Sequence, residues 1–429
     1  MYKPRPIKRL LALMLLLVIF LSLTGCSNQL PTVETETKIT EFTKPAVVRV
    51  VSFNSVTYVL DSALSKYLGV PSEVPYYDGG MGSGAILSEN GYIVTNAHVV
   101  ETSKLEEKDA KQRLDDLFLN DLKEQLLKKD RYYAADIYSF AKSTTKRSNF
   151  QKVSKVIMPG GDSFTFDIKS YGAPLGQGKD VAIIKIDAMN LPIIQIEESD
   201  ASQTSDKVTI AGYPGKADLE GFLDDKSVLV STYSTGSIAA RKTTDKGPVL
   251  QLSANVNPGN SGGPVISKEG KLVGIATATS SDGIGWAIPS STVLEFARQA
   301  GGPVNKPGAV TQRWQEGLQL YWQNYYKKAI PKFEEVQRLY PKHNAISDYI
   351  SKSQRGIESG KDRKDLKDYW LWIAGSAVVV IGLGGVLIIL RKKKNSVPPT
   401  PPLTELAVPQ ASKLSDEPNS GRPPENAEK

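Results

Sequence analysis

The feature that most constrains this chain is a ladder of short β-branched runs between Pro45 and Pro289, each closed by Gly, Pro, Asn or Asp. VVRVVSF, SGAILS, YIVTN, VAIIKI, KVTIAG, VLQLSA and KLVGIATA each suit one strand and are too short for an ordinary helix. Many short strands joined by turns bury their apolar sides by closing into barrels or stacking as a sandwich, so an all-β body is expected. The ladder gives way to the helix-like TVLEFARQA at residues 292–300. A body of about 250 residues suits one two-barrel unit.

One stretch breaks the pattern. Residues 101–158 contain no Gly and no Pro, and Leu114, Phe118, Leu122 and Leu126 recur every four residues, which predicts an amphipathic helical insertion. Residues 311–357 are helical in pattern again, with Gly317, Ala329, Phe333 and Pro341 at offsets similar to one tetratricopeptide repeat. A lone helical hairpin cannot bury its apolar face, so this segment, within a helical region at 299–368, must pack on the β-rich body or on a protein partner.

The ends follow different rules. Lys3, Arg5, Lys8 and Arg9 precede the apolar run LLALMLLLVIFLSL, the layout of a secretory signal peptide over residues 1–25. It closes in Leu23-Thr24-Gly25-Cys26, which resembles the bacterial lipobox and makes Cys26 the candidate lipidation site, followed by a polar tether at 26–40. Cys26 is the only cysteine, which excludes an internal disulfide and a multi-cysteine metal site. Trp370 to Leu390 carry no charge and run straight into Arg391-Lys392-Lys393-Lys394. That predicts a single transmembrane helix at 369–390, with Tyr369, Trp370 and Trp372 at the outer interface and a Pro-rich disordered tail, 391–429, in the cytoplasm. Four units of the net charge of +7 come from residues 391–394, so the charge does not argue for a nucleic-acid partner.

Three segments carry chemistry: Gly82-Ser83-Gly84 through Thr95-Asn96-Ala97-His98, then Asp180-Val181-Ala182-Ile183-Ile184-Lys185-Ile186, then Asn257-Pro258-Gly259-Asn260-Ser261-Gly262-Gly263-Pro264. In these residues the chain resembles the chymotrypsin-like serine proteases, most of all the bacterial HtrA (DegP-like) branch, from about Glu41 to Arg298. The resemblance implies a double β-barrel at 41–298 and a serine endopeptidase that forms an acyl-enzyme on polypeptide substrates outside the cytoplasm, without metal or organic cofactor. It departs from the branch at the insertion, and the helical residues after 298 carry no recognisable PDZ domain.

A serine hydroxyl attacks a carbonyl only with a base in reach, and histidine titrates in the right range. Only His98 and His343 exist, and His343 lies in the helical region, so His98 is the candidate base for Ser261. The resemblance gives Asp180 the role of orienting the imidazole. The glycines around Ser261 suit a tight turn whose Gly259 and Ser261 N–H groups form an oxyanion hole. By the same resemblance Thr277 approaches Asp180, Asn255 sets the floor of the primary specificity pocket, and Ala278 and Thr279 form its wall. With no carboxylate at Asn255, small or medium uncharged residues are the expected preference. The alternative from another class is a catalytically weak, protease-like scaffold that binds envelope proteins.

Overall fold

The computed structural model describes residues 32–129, 131–198, 202–215, 227–254, 256–279 and 283–364, with scattered positions between 375 and 389. The body begins earlier than the sequence suggests. Helix α1 (Thr35–Thr43) occupies part of the expected tether and buries Ile39 and Thr43. Its sequence has little helical drive of its own, so tertiary contacts decide its state.

Strand β1 (Val47–Val59), the short helix α2 (Ser62–Leu68) and strands β2 (Glu73–Ile86) and β3 (Tyr92–Thr95) open the first barrel. Helices α3 (Ala97–Lys104), α4 (Glu107–Lys129) and α5 (Ala134–Thr144) follow, and then strands β4 (Lys146–Ile157), β5 (Ser163–Tyr171) and β6 (Ala182–Ile186) close it in the order β1-β2-β3-β6-β5-β4. The second barrel contains β7 (Lys207–Gly212), β8 (Thr232–Thr244), β9 (Gly247–Leu252), β10 (Pro264–Ser267), β11 (Leu272–Thr279) and β12 (Gly285–Pro289), closed as β10-β11-β12-β9-β8-β7. Helix α6 (Ser290–Gln299) leads to α7 (Ala309–Trp322), α8 (Tyr326–Leu339) and α9 (Ile346–Glu358).

The all-β expectation is therefore too narrow, because two six-stranded barrels share the chain with nine helices among the described residues. The physical reason is that barrel edges are extended and then covered. β1 and β2 pair along their whole length, from Val47↔Ala85 to Val59↔Glu73, and their outer halves form an apolar platform. α4 lays its stripe of Leu114, Phe118, Leu122 and Leu126 on this platform, against Val56 and Tyr58. Tyr58 stacks on Phe118 at 4.1 Å between ring centroids. The helical part of the insertion ends at Thr144. The remainder of the 101–158 stretch is β4, which pairs with β1 from Arg49↔Ile157 to Val59↔Lys146.

The helical region after α6 forms three helices whose core holds Trp314, Leu318, Phe333, Val336 and Tyr349. Gly317 lets α7 approach α8, since a Cβ there would stand 2.5 Å from the Phe333 ring. Of the two ways to cover its apolar face, this layer uses the body. Trp314 Nε1 donates to Glu41 O at 2.8 Å and the Tyr349 hydroxyl to Glu41 Oε2 at 3.0 Å, both on α1. Lys342 pairs with Asp162 beside the first barrel at 2.9 Å.

Among the described residues no helix is long and apolar enough to cross a membrane. Cys26 lies outside the described residues, as does more than half of the expected span at 369–390.

Candidate active site

The barrels meet over a continuous core in which Val94, Val99 and Val181 of the first pack with Tyr213, Ile275 and Ile288 of the second. The candidate residues lie along this seam. His98 is the second residue of α3, entered through Asn96 in extended conformation. Asn96 is buried and its Nδ2 donates to Asp180 O at 2.7 Å, which fastens the start of that helix to the loop before β6.

Asp180 is fully buried, and each carboxylate oxygen has a partner. Oδ1 accepts the His98 backbone N–H at 3.0 Å, and Oδ2 faces His98 Nδ1 at 2.7 Å. The Thr277 hydroxyl also donates to Oδ2. An ionised carboxylate only accepts, so Nδ1 carries the proton, and in the neutral imidazole Nε2 then keeps its lone pair. The imidazole side chain is 36% exposed, so Nε2 can meet a substrate-side group.

Ser261 sits in the turn between β9 and β10. Its hydroxyl donates to the Thr277 carbonyl at 3.0 Å, and among the described residues it makes no hydrogen bond to His98. Thr277 thus holds Asp180 with its side chain and Ser261 with its backbone. A serine reaches a neighbouring base from such a position by rotation about χ1, and resting sites often tighten only around substrate.

The turn owes its shape to glycine. Gly259 has φ 98° and Gly262 has φ 84°. A Cβ on Gly259 would stand 2.3 Å from Tyr213 O, and one on Gly262 would stand 2.3 Å from Ser83 O. Gly215 N–H donates to Pro258 O at 3.0 Å. The C=O and N–H of a trans peptide point in opposite directions, so this bond turns the Gly259 N–H away from Gly215. Among the described residues neither the Gly259 nor the Ser261 N–H donates to a protein group, which leaves both free for a ligand oxygen.

Of the expected site residues, the structure brings together His98, Asp180, Ser261, Gly259 and Thr277. Ala278 and Thr279 pair with Trp286 and Gly285 across β11 and β12, and Asn255 and Cys26 lie outside the described residues. No metal-binding group of three or more His, Cys, Asp or Glu occurs among the described residues. Sequence reasoning quoted Ser83, Thr95 and Asn96 within the motifs without giving them work, and it passed over Tyr213. Burial raises the Tyr213 phenol pKa, and its hydroxyl donates to Val47 O at 3.2 Å across the seam.

Residues 82–275 match the trypsin-like peptidase domain family. The chain is similar to the "Probable periplasmic serine endoprotease DegP-like" of Chlamydia muridarum, 29% identical over 247 residues, covering 55% of this chain and 38% of that protein. It is also similar to human "Serine protease HTRA4", 25% identical over 286 residues, covering 66% of this chain and 47% of that protein. The chain thus spans less than half the length of either relative. Among solved structures, the serine endoprotease from Yersinia pestis aligns with 63% of this chain and 67% of its own, at 24% identity and a TM-score of 0.37, a likeness that carries no weight of its own.

Proposed function

We propose that this chain is a serine endopeptidase in which Ser261 is the nucleophile, His98 the base and Asp180 the orienting acid. The observation that carries the reading is the double hold on Asp180, by His98 Nδ1 and by Thr277, which aims a lone-pair nitrogen outward on the seam that bears Ser261. His98 Nε2 takes the Ser261 proton as Oγ attacks a peptide carbonyl, and the imidazolium that forms is stabilised by the buried carboxylate. The oxyanion takes the N–H groups of Gly259 and Ser261, donors whose loss one at a time costs roughly 10²- to 10³-fold in kcat in comparable sites. His98 then hands its proton to the leaving amine, and water repeats the sequence on the acyl-enzyme.

In the same proposal the domain lies on the outer face of a bacterial cell membrane, held by lipid on Cys26 and by a span at 369–390, and its substrates are extracytoplasmic polypeptides in envelope protein quality control. The scaffold alternative draws on one observation, the Ser261 hydroxyl resting on Thr277 instead of His98. One experiment separates these readings. A membrane-impermeant fluorophosphonate applied to intact cells is expected to label the wild-type chain and to fail on Ser261→Ala and His98→Ala. No labelling of wild type in lysed cells would favour the scaffold, and labelling only after lysis would refute the outward orientation.

A further inference from the structure

We infer that Ser83 is a positioning residue that sets the oxyanion loop; the inference rests on the serine-protease reading above. The four carbonyls from Pro258 to Ser261 are all held. Pro258 O accepts Gly215 N–H at 3.0 Å, Asn260 O accepts Gly263 N–H at 2.9 Å, and Ser261 O accepts Ser83 N–H at 2.8 Å. The remaining one, Gly259 O, accepts the Ser83 hydroxyl at 2.6 Å. Among the described residues it is the only one of the four held by a side chain, and so the one released by trimming a side chain.

Ser83 is equipped for this. It lies in β2, is fully buried, and belongs to the first barrel while the loop it holds belongs to the second. Its hydroxyl also accepts Tyr213 N–H at 2.9 Å, so the direction of its own proton, toward Gly259 O, is fixed. Its carbonyl accepts the Thr95 hydroxyl at 2.7 Å, three residues before His98. One residue therefore registers the base-bearing segment, the nucleophile turn and the Tyr213 strand end against each other.

Releasing Gly259 O leaves the peptide between Gly259 and Asn260 held by Asn260 N–H on Asn257 O at 2.9 Å alone, at a residue with φ 98°, so the spacing between the Gly259 N–H on one side of it and the Ser261 N–H on the other is no longer fixed. The oxyanion exists only in the transition state, so the loss falls on kcat and leaves substrate binding in place. The indirect route makes the loss smaller than deletion of a donor.

The test uses the full chain in detergent with a fluorogenic peptide carrying Val before the scissile bond. Ser83→Ala is expected to lower kcat about tenfold or more with KM within about twofold. Affinity for a peptide boronate, whose adduct oxygen occupies the oxyanion site, is expected to fall by the same factor. The pH profile of kcat/KM is expected to keep its shape, since His98 and Asp180 are untouched, and Ser83→Thr, which keeps the hydroxyl, is expected to recover most of the loss. If Ser83→Ala does not accumulate, Ser83→Cys, nearest in shape, carries the same test. An unchanged kcat, or a KM that rises in step with the loss, overturns the role of Ser83. Absence of Ser261-dependent fluorophosphonate labelling in wild type instead removes the protease reading beneath it.

Discussion

Acidification should loosen the α7–α9 layer through one buried side chain. His343 lies between α8 and α9, 4% exposed, with its ring 4.4 Å from that of Trp314. Its Nδ1 accepts Ala345 N–H at 3.4 Å, and its Nε2 has no hydrogen-bond partner among the described residues. Burial pushes its pKa down from 6.5 to about 3. The folded state thus takes up the proton far less readily than the unfolded state. Between these two values the unfolded chain binds more protons, so stability rises with pH, is complete above the unfolded value, and is lost as pH falls. From pH 7 to pH 5 the linkage removes about 2 kcal/mol, or roughly a 25-fold rise in the open population of the layer. Amide hydrogen exchange of α7 and α9 at the two pH values, corrected for intrinsic exchange, measures that population. His343→Gln removes the titration and should flatten the response even if it lowers stability at pH 7. An equal pH response in wild type and His343→Gln would refute the reasoning.

Three further outcomes are expected. Thr277→Val removes the hydroxyl donor to a buried carboxylate and should cost about tenfold in kcat/KM, whereas Thr277→Ser should recover it; equal activity of both variants, measured on one peptide, would count against the Thr277–Asp180 bond. Leu122→Ala empties a fully packed site between α4 and the β1–β2 platform and should destabilise the insertion by about 2–5 kcal/mol, read as a lower urea midpoint for exchange of α4 amides. A peptide-library digest should give cleavage after small or medium uncharged residues such as Ala, Val or Thr, with Lys and Arg poor because Asn255 offers no counter-charge; dominant cleavage after Lys or Arg would show the pocket misassigned.

The barrels were legible because their strands alternate or run apolar between Gly- and Pro-marked turns, and the insertion's first half because Leu114 to Leu126 keep a four-residue step. Strand β4 was not. Half of its residues KRSNFQKVSKVI are exposed and four carry basic side chains, so composition hides the pairing that β1 imposes. Helix α1 was not legible either, since TETKITEFT gains its stability from Trp314 and Tyr349, some 270 to 310 residues away in sequence. At the site, His98, Asp180 and Ser261 stand out by residue type. The work of Ser83 and Asn96 is done by ordinary hydroxyl and amide groups, and only the fold decides which carbonyls they meet.

The placement of α1 has a consequence for the order in which the protein is completed. It is the first described helix to emerge during synthesis, yet its partners on α7 and α9 are among the last. Trp314 and Glu41 are separated by 273 positions, and Tyr349 and Glu41 by 308. Both barrels can close with Ile39 of α1 against their core while Glu41 still lacks Trp314 and Tyr349, and loop closure over so long a separation places this clasp after the barrels. A ribosome-bound chain that has released both barrels but not yet Trp314 therefore holds the seam of His98, Asp180 and Ser261 with the clasp on Glu41 still open, so the finished chain differs from the nascent one at α1 and not at Ser261.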